Sequence, residues 1–361
     1  MKSLNVPTLT ASLVLAAGTA AEPAAWSLTY GGASRDSALC AAALPGGGVL
    51  FGGVTESFGE GRRGFLVAAD RGGRRSWWAA LDGPVGGRVL DAALSGDAVT
   101  AVLSAEGDGG RRLHLLTASA DGDSIRTEPL DIPYEPGAPV AAGPGRAAAA
   151  VLASDGIALW SAYAGAAAER MPVALEGPPL AVCPLGDGWA LLAGGPTPTL
   201  VITGPDGTSA VPVPFLEGLY RPVMAPAPGG GAVVTGMAGQ PPRTLRAAVL
   251  DGGGNLLWEC SCDSCTAVSV SGVSLREGRV WVSATSSAGG GDMMLLGLPE
   301  PGSGLPLFSS VYGGPGPELC AGHLATRRGV ILVGTTGSMG PGSSDIMAVR
   351  VPFPGQEAAA P

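Results

Sequence analysis

Trp26-Ser27-Leu28-Thr29-Tyr30-Gly31-Gly32 is followed by Asp36 and then by Gly46-Gly47-Gly48-Val49-Leu50-Phe51-Gly52-Gly53-Val54-Thr55-Glu56-Ser57. Near the other end the chain repeats the series. Phe308-Ser309-Ser310-Val311-Tyr312-Gly313-Gly314 leads to Glu318, and then to Gly329-Val330-Ile331-Leu332-Val333-Gly334-Thr335-Thr336-Gly337-Ser338. A motif at both ends of one chain points to a repeat protein that closes on itself.

Between these ends, apolar runs entered from Gly-containing turns begin near Val49, Val99, Ala147, Trp189, Ala232, Arg279 and Val330. Their spacing of roughly 42 to 51 residues is that of propellers, solenoids and arrays. Gly (60 residues) and Pro (32) punctuate these short runs, and hydrophobic residues make up 46% of the 361, which argues against disorder. No long stretch keeps a 3.6-residue period with a charged outer face. The sequence therefore predicts an all-β fold: a seven-bladed β-propeller of four-stranded antiparallel blades.

The first unit shows four strands, at about 38–44, 49–55, 65–70 and 75–81, with Asp70-Arg71-Gly72-Gly73 turning the third into the fourth. Trp77 follows Asp70 as Trp258 follows Asp251, and a large aromatic there is expected to wedge between blades. At the C-terminus, Ile346 to Val351 reads as a third strand with no fourth after it. At the N-terminus, Trp26 to Tyr30 has the fourth-strand pattern but precedes the first unit. The two deficits fit each other, so the N-terminal strand is expected to join the last blade and close the ring. Closure removes two unpaired sheet edges. The propeller domain is placed at 22–355, with a disordered tail at 356–361. From 84 to 215 most markers are lost and the blade boundaries are loose.

Met1-Lys2-Ser3, an apolar run from Val6 to Ala17, and small residues near Ala20 and Ala21 fit a signal peptide over 1–21, too short to span a bilayer. This predicts a secreted or periplasmic protein, and the reading is of a monomer. The net charge is −9 and Lys2 is the only lysine, so nothing resembles a basic stripe and nucleic acid is excluded as a partner.

The ordered series Trp-x-x-x-Tyr-Gly-Gly, Gly-Gly-x-x-x-x-Gly-x-Thr-x-Ser-Phe-Gly-x-Gly and Asp-x-x-Gly with a following Trp resembles the repeat of secreted bacterial and archaeal β-propellers of largely unassigned function. Residues 26–77 and 308–351 match it well, and 280–296 and 247–258 in part. Val249 to Trp258 is also similar to the repeat of quinone-cofactor and outer-membrane-assembly propellers, without a matching quinone site. No cofactor is expected.

In this topology, loops joining the fourth strand to the next first strand share a face with loops joining second to third strands. Asp36, Ser57, Glu318, Ser338 and Asp345 fall there, and a ring of hydroxyls and carboxylates at a channel mouth is suited to a cation or a sugar. Residues that recur in each copy are expected first to serve what the copies share, namely turn geometry and blade-to-blade hydrogen bonds. Cys260, Cys262 and Cys265 break the symmetry and, with Cys40 and Cys320, are disulfide candidates in an oxidising compartment. Buried free thiols rank second and metal third, since only His114 and His323 supply imidazole. Cys183 reads as an ordinary buried cysteine and His323 as a structural histidine on an inner strand. No catalytic residue and no metal ligand is assigned. The function expected is a secreted, non-catalytic binding or scaffold module for a protein or glycan. The alternative is an extracellular carbohydrate-active enzyme using acids at the mouth.

Overall fold

The computed structural model describes residues 26–81, 87–107, 110–175, 177–205, 207–240, 243–262, 267–287, 290–299 and 308–353. The expected signal peptide, the tail and Cys265 lie outside them. The strands form seven four-stranded antiparallel sheets, each strand beside its successor from inner (A) to outer (D). Blade 1 comprises Asp36–Ala43, Val49–Thr55, Arg63–Ala69 and Arg75–Ala80. Blades 2 to 6 open with strands A at Arg88–Ser95, Val140–Gly143, Pro179–Leu185, Leu219–Ala227 and Ala267–Arg276. Blade 7 takes Glu318–Thr326, Gly329–Thr336 and Asp345–Val351 from the C-terminal end, and its strand D is Trp26–Tyr30.

The burial of each strand explains the sequence pattern. Strand A of blade 1 alternates buried and less buried residues, its two faces packing into different junctions: Cys40 and Ala42 against blade 2, Ala38 and Ala41 against blade 7. Strand B, the continuous apolar run Val49–Thr55, is buried along its whole length, since it is covered by the blades on both sides. Strand D, Arg75–Ala80, lies at the rim and carries charge. The strand starts expected near Val49, Val99, Ala147, Trp189, Ala232, Arg279 and Val330 fall within a residue of those observed.

Closure is as expected. Trp26 pairs with Arg350, Leu28 with Ala348 and Tyr30 with Ile346, antiparallel. Each of the seven blade junctions holds its own apolar cluster. The closing junction is of the same kind: Trp26, Tyr30, Ile331 and Ile346 of blade 7 meet Phe51, Phe65 and Val67 of blade 1.

The C–D turns lock blade to blade. Asp70 Oδ1 accepts from the Gly72 and Arg74 amides at 2.8 and 2.9 Å, and Asp251 Oδ1 from Gly253 and Asn255 at 2.8 Å each. Gly73, Gly122 and Gly254 close these turns at φ of +81°, +82° and +81°. A Cβ on Gly73 would strike Leu28 at 2.4 Å, and one on Gly122 would strike Trp77 at 2.6 Å. The glycine is thus needed both for its backbone angle and to admit the preceding blade's strand D. Tyr30 Oη donates to Gly73 O at 2.6 Å, and Trp77 Nε1 to Ala120 O at 2.9 Å. Trp77 wedges between blades as its position predicts.

Blades 3 and 4 lack most of the markers and are pinned otherwise. Arg146, nearly buried, donates to the carbonyls of Gly186, Asp187 and Gly188 and lies 4.8 Å over the Trp189 ring. Among the described residues no helix is long and apolar enough to cross a membrane.

Candidate functional site

The crossing from blade 7 to blade 1 is built on Gly31-Gly32. Asp36, the first residue of strand A, turns back so that its Oδ2 accepts from Gly32 N at 2.8 Å and from Ser57 Oγ at 2.6 Å. Ser57 Oγ accepts from Ser34 N at 3.0 Å, and Thr55 Oγ1 holds Ser57 N at 3.0 Å. The Thr-x-Ser of the B–C loop therefore clamps the D–A crossing. Asp345 opens strand C of blade 7 beside it, its Oδ2 accepting from Gly342 N at 3.0 Å. The Asp36 amide donates to Ser344 O at 2.8 Å, tying strand A of blade 1 to strand C of blade 7.

The same device stands one junction earlier. Glu318 opens strand A of blade 7, with Oε2 on Gly314 N at 3.0 Å and Oε1 on Thr336 Oγ1 at 2.9 Å. Ser338 Oγ accepts from Gly316 N at 2.6 Å, and Glu318 N donates to Gly291 O at 2.6 Å. The partner acid is Asp292, which immediately precedes strand C of blade 6, Met293–Pro299, much as Asp345 opens that of blade 7.

The five candidate residues thus gather in two clusters rather than one ring. Asp36, Ser57 and Asp345 meet at the 7/1 junction, and Glu318 and Ser338 meet at the 6/7 junction with Asp292. Asp292 was visible only as part of the recurring Thr-Ser-Gly-Asp series. Asp36, Glu318 and Asp345 have no exposed surface at all. They face the blade junctions, where the expected channel-mouth ring would have them face solvent. Burial pushes the Asp345 carboxyl above its usual range, and the charge of Asp36 adds to this. Asp292 is raised by burial and by its contact with Glu318. Among the described residues no group of three or more His, Cys, Asp or Glu is disposed to hold a metal ion.

The thiols contradict most of the disulfide expectation. Cys40, Cys183, Cys260 and Cys320 are free. Cys40 packs into the junction of blades 1 and 2 and Cys320 into that of blades 6 and 7, so the two thiols lie in different clusters and are not bonded to each other. Cys262 is not among the free thiols, and Cys265 lies outside the described residues. Cys183 is an ordinary buried cysteine, its thiol pushed up to about 12 by burial.

Sequence spacing gave no hint of the polar cluster around His323. Its Nε2 lies 2.7 Å from Ser274 Oγ and its Nδ1 3.0 Å from Ser283 Oγ, both hydroxyls of blade 6. A Ser–His contact of this length is the start of a nucleophilic site, but the other ring nitrogen meets a hydroxyl where a carboxylate would orient the base. Burial lowers His323 to about 4 and raises the nearby Cys320 thiol to about 11. Neither is an activated nucleophile or base at neutral pH.

Among the described residues two open surfaces bear on binding. Leu39 and Val268 sit at β-bulges of strands A in blades 1 and 6, where register breaks between Ala38 and Cys40 and between Ala267 and Ser269. They are 36% and 47% exposed, and Leu319 of the intervening blade 7 is 60% exposed. Three adjoining inner strands thus present apolar side chains to solvent. On the opposite face, the A–B and C–D turns of blades 1 and 2 enclose a cleft of about 750 Å³ lined by Leu44, Asp70, Trp77, Asp97, Ser119 and Asp121.

Seven sheets in a closed ring, each clamped to the next, make this protein a seven-bladed β-propeller. No family model matches the chain, and no curated protein matches it significantly. Solved structures do. The chain is similar to the protein in the structure of YCF48 bound to D1 peptide (TM-score 0.56, 14% identity, covering 91% of this chain and 97% of that one). It is similar to Sqt1 of Saccharomyces cerevisiae (TM-score 0.55, 10% identity, 90% and 99%) and to a phage phi92 endosialidase (TM-score 0.52, 10% identity, 91% and 69%). At such identities the likeness speaks for the fold alone.

Proposed function

We propose that this protein is a secreted, monomeric, non-catalytic propeller of the secreted bacterial and archaeal repeat kind that binds a protein ligand at the mouth of its channel. The observation that carries this reading is the apolar arc of Leu39, Val268 and Leu319 on adjoining inner strands of blades 6, 7 and 1. A folded monomer leaves few large apolar side chains grouped on a functional rim, and such groups mark interaction sites. An apolar arc suits a protein side chain better than a sugar. Two features weigh against the carbohydrate-active alternative. The acids it would use are fully buried and engaged by backbone amides and hydroxyls, and His323 and Cys320 are held in unreactive forms. Among propellers of this fold, YCF48 has been solved with a bound peptide.

The test is a screen of peptide and glycan arrays with the parent and with Leu319→Asp. A charge at a 60%-exposed position should leave the melting temperature within about 2 °C, since surface changes fall within ~0.5 kcal/mol. Peptide binding should fall at least tenfold. Glycan hits that turn over, with turnover lost in Asp36→Asn, would establish the enzyme instead.

A further inference from the structure

The two acid pairs hold more than a turn requires. At the 7/1 junction Asp36 and Asp345 are both wholly buried, and each has one carboxylate oxygen, Oδ1, with no hydrogen-bond partner. Everything they do receive comes from backbone amides and one serine hydroxyl, on Oδ2. Two buried carboxylates side by side, with no cationic partner among the described residues, are costly as they stand. At the 6/7 junction the equivalent atom of the equivalent residue, Asp292 Oδ1, is again buried and unpartnered. An orphaned oxygen repeated at the same place in two repeats is a feature of the motif.

In each pair the orphaned aspartate oxygen, Asp345 Oδ1 or Asp292 Oδ1, lies beside an oxygen of the other acid that already accepts hydrogen bonds, Asp36 Oδ2 or Glu318 Oε2. A Cβ built on Gly31 would lie 1.9 Å from Asp345 Oδ1 and 2.7 Å from Asp36 Oδ2; one on Gly313 would lie 2.0 Å from Asp292 Oδ1 and 2.6 Å from Glu318 Oε2. Laid end to end, either pair of distances stays within twice a calcium–oxygen bond of ~2.3–2.6 Å. A single ion can therefore touch both acids. The glycine lets both carboxylates lie this close to the loop, and any side chain there would strike them and force them apart. Main-chain oxygens crowd the same loop: a Cβ on Gly342, whose amide holds Asp345, would meet Ser34 O at 2.0 Å and Gly32 O at 2.8 Å.

We propose that each junction binds a divalent cation of the calcium type between its two carboxylates, Asp36 with Asp345 and Asp292 with Glu318. Calcium accepts carboxylate, carbonyl, hydroxyl and water oxygens in variable number, so two acids and a carbonyl-rich Gly loop suffice where a set of three acids is absent. Its two positive charges balance each pair. With only two acids per ion, affinity belongs in the ~0.1–1 mM range of extracellular modules. Each ion ties strand C of one blade to strand A of the next, so the two sites flank blade 7, the blade assembled from both ends of the chain.

Calcium chloride is titrated into chelator-treated full-length protein at pH 7.5, read by calorimetry and thermal unfolding, with magnesium chloride at equal ionic strength as control. The expected result is two ions bound per chain and a melting temperature that climbs with calcium and hardly with magnesium. Asp345→Asn and Asp292→Asn should each bind one ion, and the double variant none. No heat and no calcium-specific rise in the intact protein up to ~10 mM, well above the range expected of such sites, would overturn the proposal, whether or not the variants fold. Two ions still bound by a folded double variant would overturn it equally.

Discussion

Asp91 and His323 both sit on inner strands, and burial moves them in opposite directions. Asp91, whose Oδ2 accepts from Ala142 N of the next blade at 2.8 Å, is raised to about 6. Its folded state holds a proton longer than the unfolded chain does, so its stabilising share is full below the ordinary carboxylate range and is lost as pH rises through 6. His323, lowered to about 4, acts the other way. The unfolded chain protonates first, and stability falls as pH drops from the ordinary imidazole range toward 4. His114, also lowered by burial, adds to that slope. Asp91→Asn removes one of the opposing slopes and keeps an acceptor for Ala142. Its urea midpoint should therefore fall more steeply between pH 6.5 and 4.5 than that of the parent. Equal slopes would show that Asp91 does not titrate in this window. None of this was legible in the sequence. His323 meets Ser274 and Ser283 of another blade, and no local spacing encodes such a contact.

At the scale of the element, the C–D turn was readable because its chemistry is local. Asp70 to Gly73 carries its own Asx acceptor and its own positive-φ glycine. What was hidden is the second duty of Gly73, receiving Leu28 and Trp26 of the closing strand. Gly73→Ala should cost about 2–3 kcal/mol, a left-handed alanine plus overpacking. Gly46→Ala, at φ +72° with nothing within 4 Å, should cost only about 1 kcal/mol. Chemical denaturation of the two variants separates backbone strain from the inter-blade contact, and equal losses would remove the second duty. The β-bulges at Leu39 and Val268 were invisible for a related reason. A bulge is a mismatch between two strands, and the alternation of one strand does not announce it. The acids were legible as recurring residues, while their inward direction was not, because it depends on carboxylates lying against the side-chain-free Gly31 and Gly313, a close approach that spacing does not encode.

For the whole molecule, the period of the apolar runs was enough to count seven blades even where blades 3 and 4 lose the Gly and Thr-x-Ser markers. Those blades keep the buried strand B, which any propeller needs, and blade 3 is tied to blade 4 at the opposite face by Arg146 on the carbonyls of the A–B turn. The ring depends on one strand. Among the described residues Trp26–Tyr30 is the strand that covers the outer edge of Asp345–Val351, and it supplies two of the largest side chains of the closing core. Burying such aromatics is worth about 3–5 kcal/mol each when lost to alanine, so removing the strand should open the blade and lower the melting point substantially. Hydrogen–deuterium exchange on the backbone amides of Asp345–Val351, in the intact protein and in a variant lacking Trp26–Tyr30, tests this most directly. The account predicts that those amides are protected in the intact ring and exchange quickly in the variant, with its melting temperature well below the parent's. Unchanged protection and unchanged melting would contradict closure by the N-terminal strand.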